Sequence, residues 1–72
     1  MATQVRVLDV VALTADLPAR GLVRGQVGTV VEQLSPEVFE VEFSDDSGMT
    51  YALCPVSSEQ MLVLHHEPAQ VA

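Results

Sequence analysis

The residues with chemistry to offer are few: His65-His66-Glu67, a single Cys54, paired acids at Glu40 and Glu42, and two arginines at Arg20 and Arg24. A zinc site wants four ligands in tetrahedral array. Adjacent residues on an extended chain point to opposite sides, so His65 and His66 do not converge, and no spaced second pair completes a set. The sequence predicts no metal and no cofactor. A nucleophilic cysteine needs an activated thiolate and a nearby base. Cys54 stands between Leu53 and Pro55 in an acidic stretch, and reads as a small hydrophobic or half-buried thiol. Glu40 and Glu42 share one side of a strand about 7 Å apart. A glycosidase pair would also need a cleft and substrate-binding aromatics; this chain has one Tyr, two Phe and no Trp. The expectation is a protein without catalytic residues.

What remains is charge and shape. The net charge of -7 is uneven: residues 1–24 hold Arg6, Arg20 and Arg24 against Asp9 and Asp16, whereas residues 25–72 hold eight carboxylates and no Lys or Arg. Phosphate backbones and anionic membranes are bound by basic residues, so nucleic acid and membrane surfaces are disfavoured partners. Glu37, Glu40, Glu42, Asp45 and Asp46 put five carboxylates within ten residues, a surface suited to a basic protein. Arg20 and Arg24 flank a long loop and could take a carboxylate. These seven residues are the candidate partner-binding set. No apolar run reaches the ~20 residues of a membrane span. The N-terminus lacks a basic head, and a single cysteine forms no internal disulfide; a cytoplasmic protein is the expectation.

The elements that must position these groups are short strands. Residues 10–15 are β-branched or small and end at Leu17-Pro18. Residues 16–25 form a loop in which Leu22 tucks inward and Val23 faces solvent. Residues 26–34 form a second strand, with Gly28 marking a bulge, bend or close backbone approach. After a turn at 35–37, residues 38–43 alternate cleanly: Phe39, Val41 and Phe43 on one face, Glu40 and Glu42 on the other. Asp45-Asp-Ser-Gly48 is a hairpin connection with Gly48 left-handed. Residues 49–54 form a fourth strand that Pro55 stops. Ser57 and Gln60 have capping-box spacing for one 3₁₀ turn, and residues 61–64 form the last strand. The predicted core is Leu13, Val27, Val30, Phe39, Val41, Phe43, Tyr51, Leu53, Leu62 and Leu64.

Five short strands, a long first loop and one helical turn before the last strand predict an all-β, five-stranded SH3-like barrel over residues 1–65, with a loose tail over 66–72. A five-stranded OB-like barrel is the alternative, but it carries a longer helix between its third and fourth strands, for which there is no room.

Leu8-Asp-Val-Val-Ala-Leu13, Asp16-Leu-Pro18, Gly21-Leu22, Arg24-Gly-Gln-Val-Gly-Thr-Val-Val-Glu32, Phe39-Glu-Val-Glu-Phe43 and Thr50-Tyr-Ala-Leu53 together resemble a family of small bacterial proteins catalogued as domain of unknown function 4926. The resemblance spans residues 8–64. Members are short free-standing chains, some encoded beside mobile or defence-type genes, which implies an accessory or neutralising role. Gly25-Gln-Val-Gly-Thr-Val30 is also similar to the strand-turn core of KOW modules and to the barrel of nitrile hydratase subunits. RNA-binding KOW modules carry basic residues around this turn; here only Arg20 and Arg24 are near it. The leading expectation is therefore a non-catalytic protein-binding module. A homo-oligomeric assembly protein and a KOW-like nucleic-acid binder are the alternatives.

Overall fold

A computed structural model describes residues 4–65 and 68. Strands β1 (Val10–Leu13), β2 (Val27–Ser35), β3 (Val38–Ser44), β4 (Thr50–Ser57) and β5 (Met61–Val63) form one antiparallel sheet in the order β4-β3-β2-β1-β5. The sheet curls into a small SH3-like barrel. Among the described residues two 3₁₀ turns accompany it. Ser58–Gln60, directly before β5, is the one expected; Ser57 starts it by accepting the Glu59 N–H at 3.3 Å. The other, Pro18–Arg20, lies inside the first loop. That loop closes as a small hairpin of its own, with Leu17 and Leu22 exchanging backbone hydrogen bonds of 2.9 and 3.2 Å, and it delivers Leu22 into the core. Gly21 ends its 3₁₀ turn in the left-handed region.

The interior is built by period-two alternation. Val11 and Leu13 of β1, Val30 of β2, and Phe39, Val41 and Phe43 of β3 are buried together. Gly28 stands opposite Val11 in the ladder and faces inward with it. A Cβ there would come within 2.7 Å of Val41 Cγ1, 2.9 Å of the Glu42 carbonyl oxygen and 3.0 Å of Phe43 Cδ2. The glycine is the space into which β3 packs, so close approach is its role. The bulges of β2 lie further along, between Val30 and Glu32 and between Gln33 and Ser35. Gly25 and Gly48 have positive φ, as turn glycines do.

Half of the predicted core is corrected. Leu13, Val30, Phe39, Val41 and Phe43 are buried, but Val27, Tyr51, Leu53 and Leu62 are exposed, and Leu64 is only half-buried. Val5, Val11, Leu22, Cys54, Val56 and Met61 fill the interior in their place. In β4 the cause is an extra residue. Phe43 pairs with Ala52 but Ser44 pairs with Thr50, so Tyr51 is bulged out of register. The inward set becomes Ala52, Cys54 and Val56, opposite Phe43, Val41 and Phe39. Small β4 side chains fit there because the two phenylalanines already occupy the interior. Nor does Pro55 end β4, which runs through it to Ser57. β4 is the sheet's edge, with a partner only on its β3 side, and an edge tolerates a residue lacking an N–H donor. In β5, Met61 and Val63 pair with Leu13 and Val11, which turns Leu62 outward.

Candidate functional site

Once the register is set, the outer face of the sheet follows. β3 presents Glu40 and Glu42 on it, both half-buried. Glu42 sits opposite Thr29 of β2 and Leu53 of β4, and its Oε2 accepts the Thr50 hydroxyl at 2.9 Å. Glu40 sits opposite Glu32 of β2 and Pro55 of β4. Two carboxylates directly opposite each other repel and destabilise the pair of strands. Glu40 Oε1 is shut off from solvent and has no hydrogen-bond partner among the described residues. Glu32 was not among the predicted site residues; only the β2 bulge, which restores it to register with Glu40, brings it there. Leu53, opposite Glu42, and Val31, the residue before Glu32, are both exposed, whereas Tyr51 leans the other way, its ring 6.3 Å from that of Phe43 and its hydroxyl accepting from Gln26 Nε2 at 3.3 Å. The outer face is therefore mixed, with carboxylates between apolar side chains.

The remaining predicted site residues separate. Glu37 lies exposed in the β2–β3 turn, its carbonyl oxygen accepting the Ser58 N–H at 2.8 Å. Asp45 is taken up by its own turn: Oδ1 accepts the Ser47 N–H (2.9 Å), the Ser47 hydroxyl (2.8 Å) and the Met49 N–H (3.0 Å). Those bonds, led by the Ser47 hydroxyl, hold its carboxyl below the usual carboxylate range. Asp46 is exposed at the tip of the same turn. Arg20 closes the 3₁₀ turn of the first loop. Arg24 is held through its backbone, whose N–H donates to Asp16 Oδ1 at 2.8 Å, so that bond leaves its guanidinium uninvolved. Both arginine side chains are exposed. The acids thus form one group on the β2–β4 face and another in the β3–β4 turn, while the arginines stand on a separate loop.

Of the two readings of Cys54, the small hydrophobic thiol is the one found: it is buried inside the barrel. Burial pushes its thiol up, the Arg20 guanidinium draws it partly back, and Glu40 adds to the rise. A buried thiol held protonated is a packing residue. Of the histidine motif, His65 is exposed, and His66 and Glu67 lie outside the described residues. Among the described residues no group of three His, Cys, Asp or Glu side chains could hold a metal ion, and no helix is long and apolar enough to cross a membrane. A shallow, open depression of about 280 Å³ is lined by Gln4, Arg6, Asp9, Val63 and His65. Its Asp9 is already occupied, accepting the Arg6 N–H at 2.8 Å.

No curated protein and no solved structure matches the chain. The sequence profile of the family described as Domain of unknown function (DUF4926) matches residues 7–63, an extent that takes in all five strands and both groups of acids. The chain belongs to that family.

Proposed function

We propose that this protein is a non-catalytic binding module that docks a basic partner protein on the outer face of β2, β3 and β4. One observation supports this reading above the others: Glu32 and Glu40 face each other across the ladder, and Glu40 Oε1 is closed off without a donor among the described residues. In the isolated chain this arrangement costs stability. Residues 25–72 contain no Lys or Arg to relieve it, so an external cation is the natural complement. Half-buried carboxylates among apolar side chains also suit an interface, where a desolvated charge discriminates strongly against like-charged ligands. The absence of basic residues from this same stretch disfavours a KOW-like nucleic-acid role. A cytoplasmic, accessory or neutralising protein is the setting we infer, consistent with the acidic balance.

The test is kinetic. A partner captured with the full chain is measured against wild type and against the double variant Glu40→Lys, Glu42→Lys. Long-range attraction between opposite charges raises association rates by about 10-fold or more at low salt. The double variant loses that acceleration with its fold intact, since lysine stems can lie along the sheet with their charges in water. An unchanged on-rate would assign the contact to the Arg20–Arg24 loop instead.

A second reading rests on a different feature. Val27, Ala12 and Leu62 stand in register across β2, β1 and β5, and Val27 and Leu62 are exposed. That apolar row supports a homo-oligomer. Light scattering on the purified chain distinguishes the two: a stable dimer or trimer supports assembly, and a monomer supports the binding module.

A further inference from the structure

Residues 6–9 make a turn for which leucine is the wrong residue. The Asp9 N–H donates to the Arg6 carbonyl at 3.1 Å, and Leu8, third of the four, has φ of 79°. This is a type II turn, whose third position calls for glycine or asparagine. The same residue opens a bulge. The Leu8 N–H donates to the Val30 carbonyl at 2.7 Å, and the Val30 N–H donates to the Asp9 carbonyl at 2.9 Å. Leu8 and Asp9 thus oppose one residue of β2, and the first position of such a bulge is again a left-handed glycine. Leu8 is the one non-glycine with positive φ among the described residues. A left-handed L-residue lowers the folding equilibrium roughly tenfold. Packing within the chain does not compensate, because the Leu8 side chain is 76% exposed, more than any other large hydrophobic residue described.

We infer that Leu8 is an apolar anchor held outward for a partner, and that the partner segment pairs an apolar residue with flanking Lys or Arg. This deepens the reading of the acidic face and rests on it. Arg6 stands exposed at the first position of this same turn, so it is the carboxylates further along β2 and β3 that select the occupant. The residue after Val30 is Val31, itself exposed, followed by Glu32, which stands opposite Glu40. An apolar residue docking on Leu8 and Val31 brings its neighbours toward those carboxylates, where cations are favoured. A second copy of this chain brings a net charge of -7 to the same place and is repelled. The strain at Leu8 is then a feature of the free protein that binding turns to use.

The test uses the full chain, labelled with ¹⁵N, and two synthetic peptides of equal charge: one alternating Leu and Lys, the other with Ser in place of Leu. The Leu-Lys peptide is expected to shift the amides of Leu8, Val31 and Glu32, and the Ser-Lys peptide to bind at least fivefold more weakly. Leu8→Gly relieves the backbone and removes the anchor. Its urea midpoint should be no lower than that of wild type, while its affinity for the Leu-Lys peptide falls at least fivefold. Leu8→Ser, which keeps the strained turn, should lose the same affinity. A lowered midpoint in Leu8→Gly would show the side chain to be structural and would overturn the inference. If Leu8→Gly binds as wild type while Glu40→Lys, Glu42→Lys does not, the anchor falls and the acidic face stands. If charge reversal leaves binding unchanged, both fall.

Discussion

Replacing Gly28 by alanine adds one methyl group where the barrel has no room for it. The new Cβ would lie 2.7 Å from Val41 Cγ1, 2.9 Å from the Glu42 carbonyl oxygen and 3.0 Å from Phe43 Cδ2. Comfortable carbon–carbon contact is about 3.5–4.0 Å, so a shift of close to 1 Å is required. None of the three neighbours yields easily. Val41 and Phe43 are fully buried, the valine is stiff at χ1, and Glu42 is held in the ladder opposite Thr29. Overpacking of this kind costs about 1–3 kcal/mol, and we place Gly28→Ala at the upper end, near ~3 kcal/mol. Domains of this size hold about 4–11 kcal/mol in all, so the loss is large. A midpoint shift of about 10 °C or more follows from the entropy of unfolding such a chain. Thermal unfolding followed by far-UV circular dichroism reads it directly. Gly25→Ala is the control: Gly25 has φ of 93° with nothing within 4 Å of an added methyl, so it carries only the left-handed penalty of about 1–2 kcal/mol. A Gly28→Ala protein as stable as wild type, or more stable than Gly25→Ala, would refute the claim that β3 packs into the space at Gly28.

Three further outcomes follow from the same packing and charge. Phe43→Ala should destabilise by about 3–5 kcal/mol, since the ring is fully buried at the centre of the core; a loss below ~1 kcal/mol in urea unfolding would place the ring elsewhere. Glu40→Gln should stabilise the isolated chain by roughly 0.2–1 kcal/mol by removing the repulsion with Glu32, and a lowered midpoint would contradict the cost assigned to that pair. Asp45→Asn tests the turn through pH. The Asp45 carboxyl is depressed below 3.8 in the fold, so its charge contributes stability that is fully present above the unfolded value and lost as pH falls through the lower folded one. The gap in midpoint between wild type and Asp45→Asn should therefore close as pH drops below 3.8, and a gap constant from neutral pH to about pH 2 would exclude the mechanism.

How legible the molecule was depended on where the strands kept register. β3 could be read outright, because Phe39, Val41 and Phe43 alternate with Glu40 and Glu42 without a break. Its two glutamates were placed on the wet face by the same argument. β4 could not, because one bulged residue reverses every inward position beyond it. Tyr51 and Leu53, the larger side chains, looked like core until the bulge put Ala52, Cys54 and Val56 inside instead. β5 is three residues long, too short for alternation to declare a face. Glu32 entered the acidic group only through a second bulge, which no residue type in β2 announces. Asp45 read as surface charge, although an aspartate two residues before a serine is also the signature of a side chain that caps its own turn. Leu8 was invisible for the opposite reason: both the turn and the bulge it occupies are signalled by glycine, and no glycine is there.

On the reading proposed above, the acidic outer face of β2–β4 attracts a basic partner. The most direct measurement is the association rate of the captured partner with wild type and with Glu40→Lys, Glu42→Lys, at low salt and at physiological salt, where the Debye length is about 8 Å. The wild-type rate should fall steeply with salt, and the double-variant rate should be at least about tenfold lower at low salt and nearly flat with salt. Equal rates for the two proteins at low salt would contradict it.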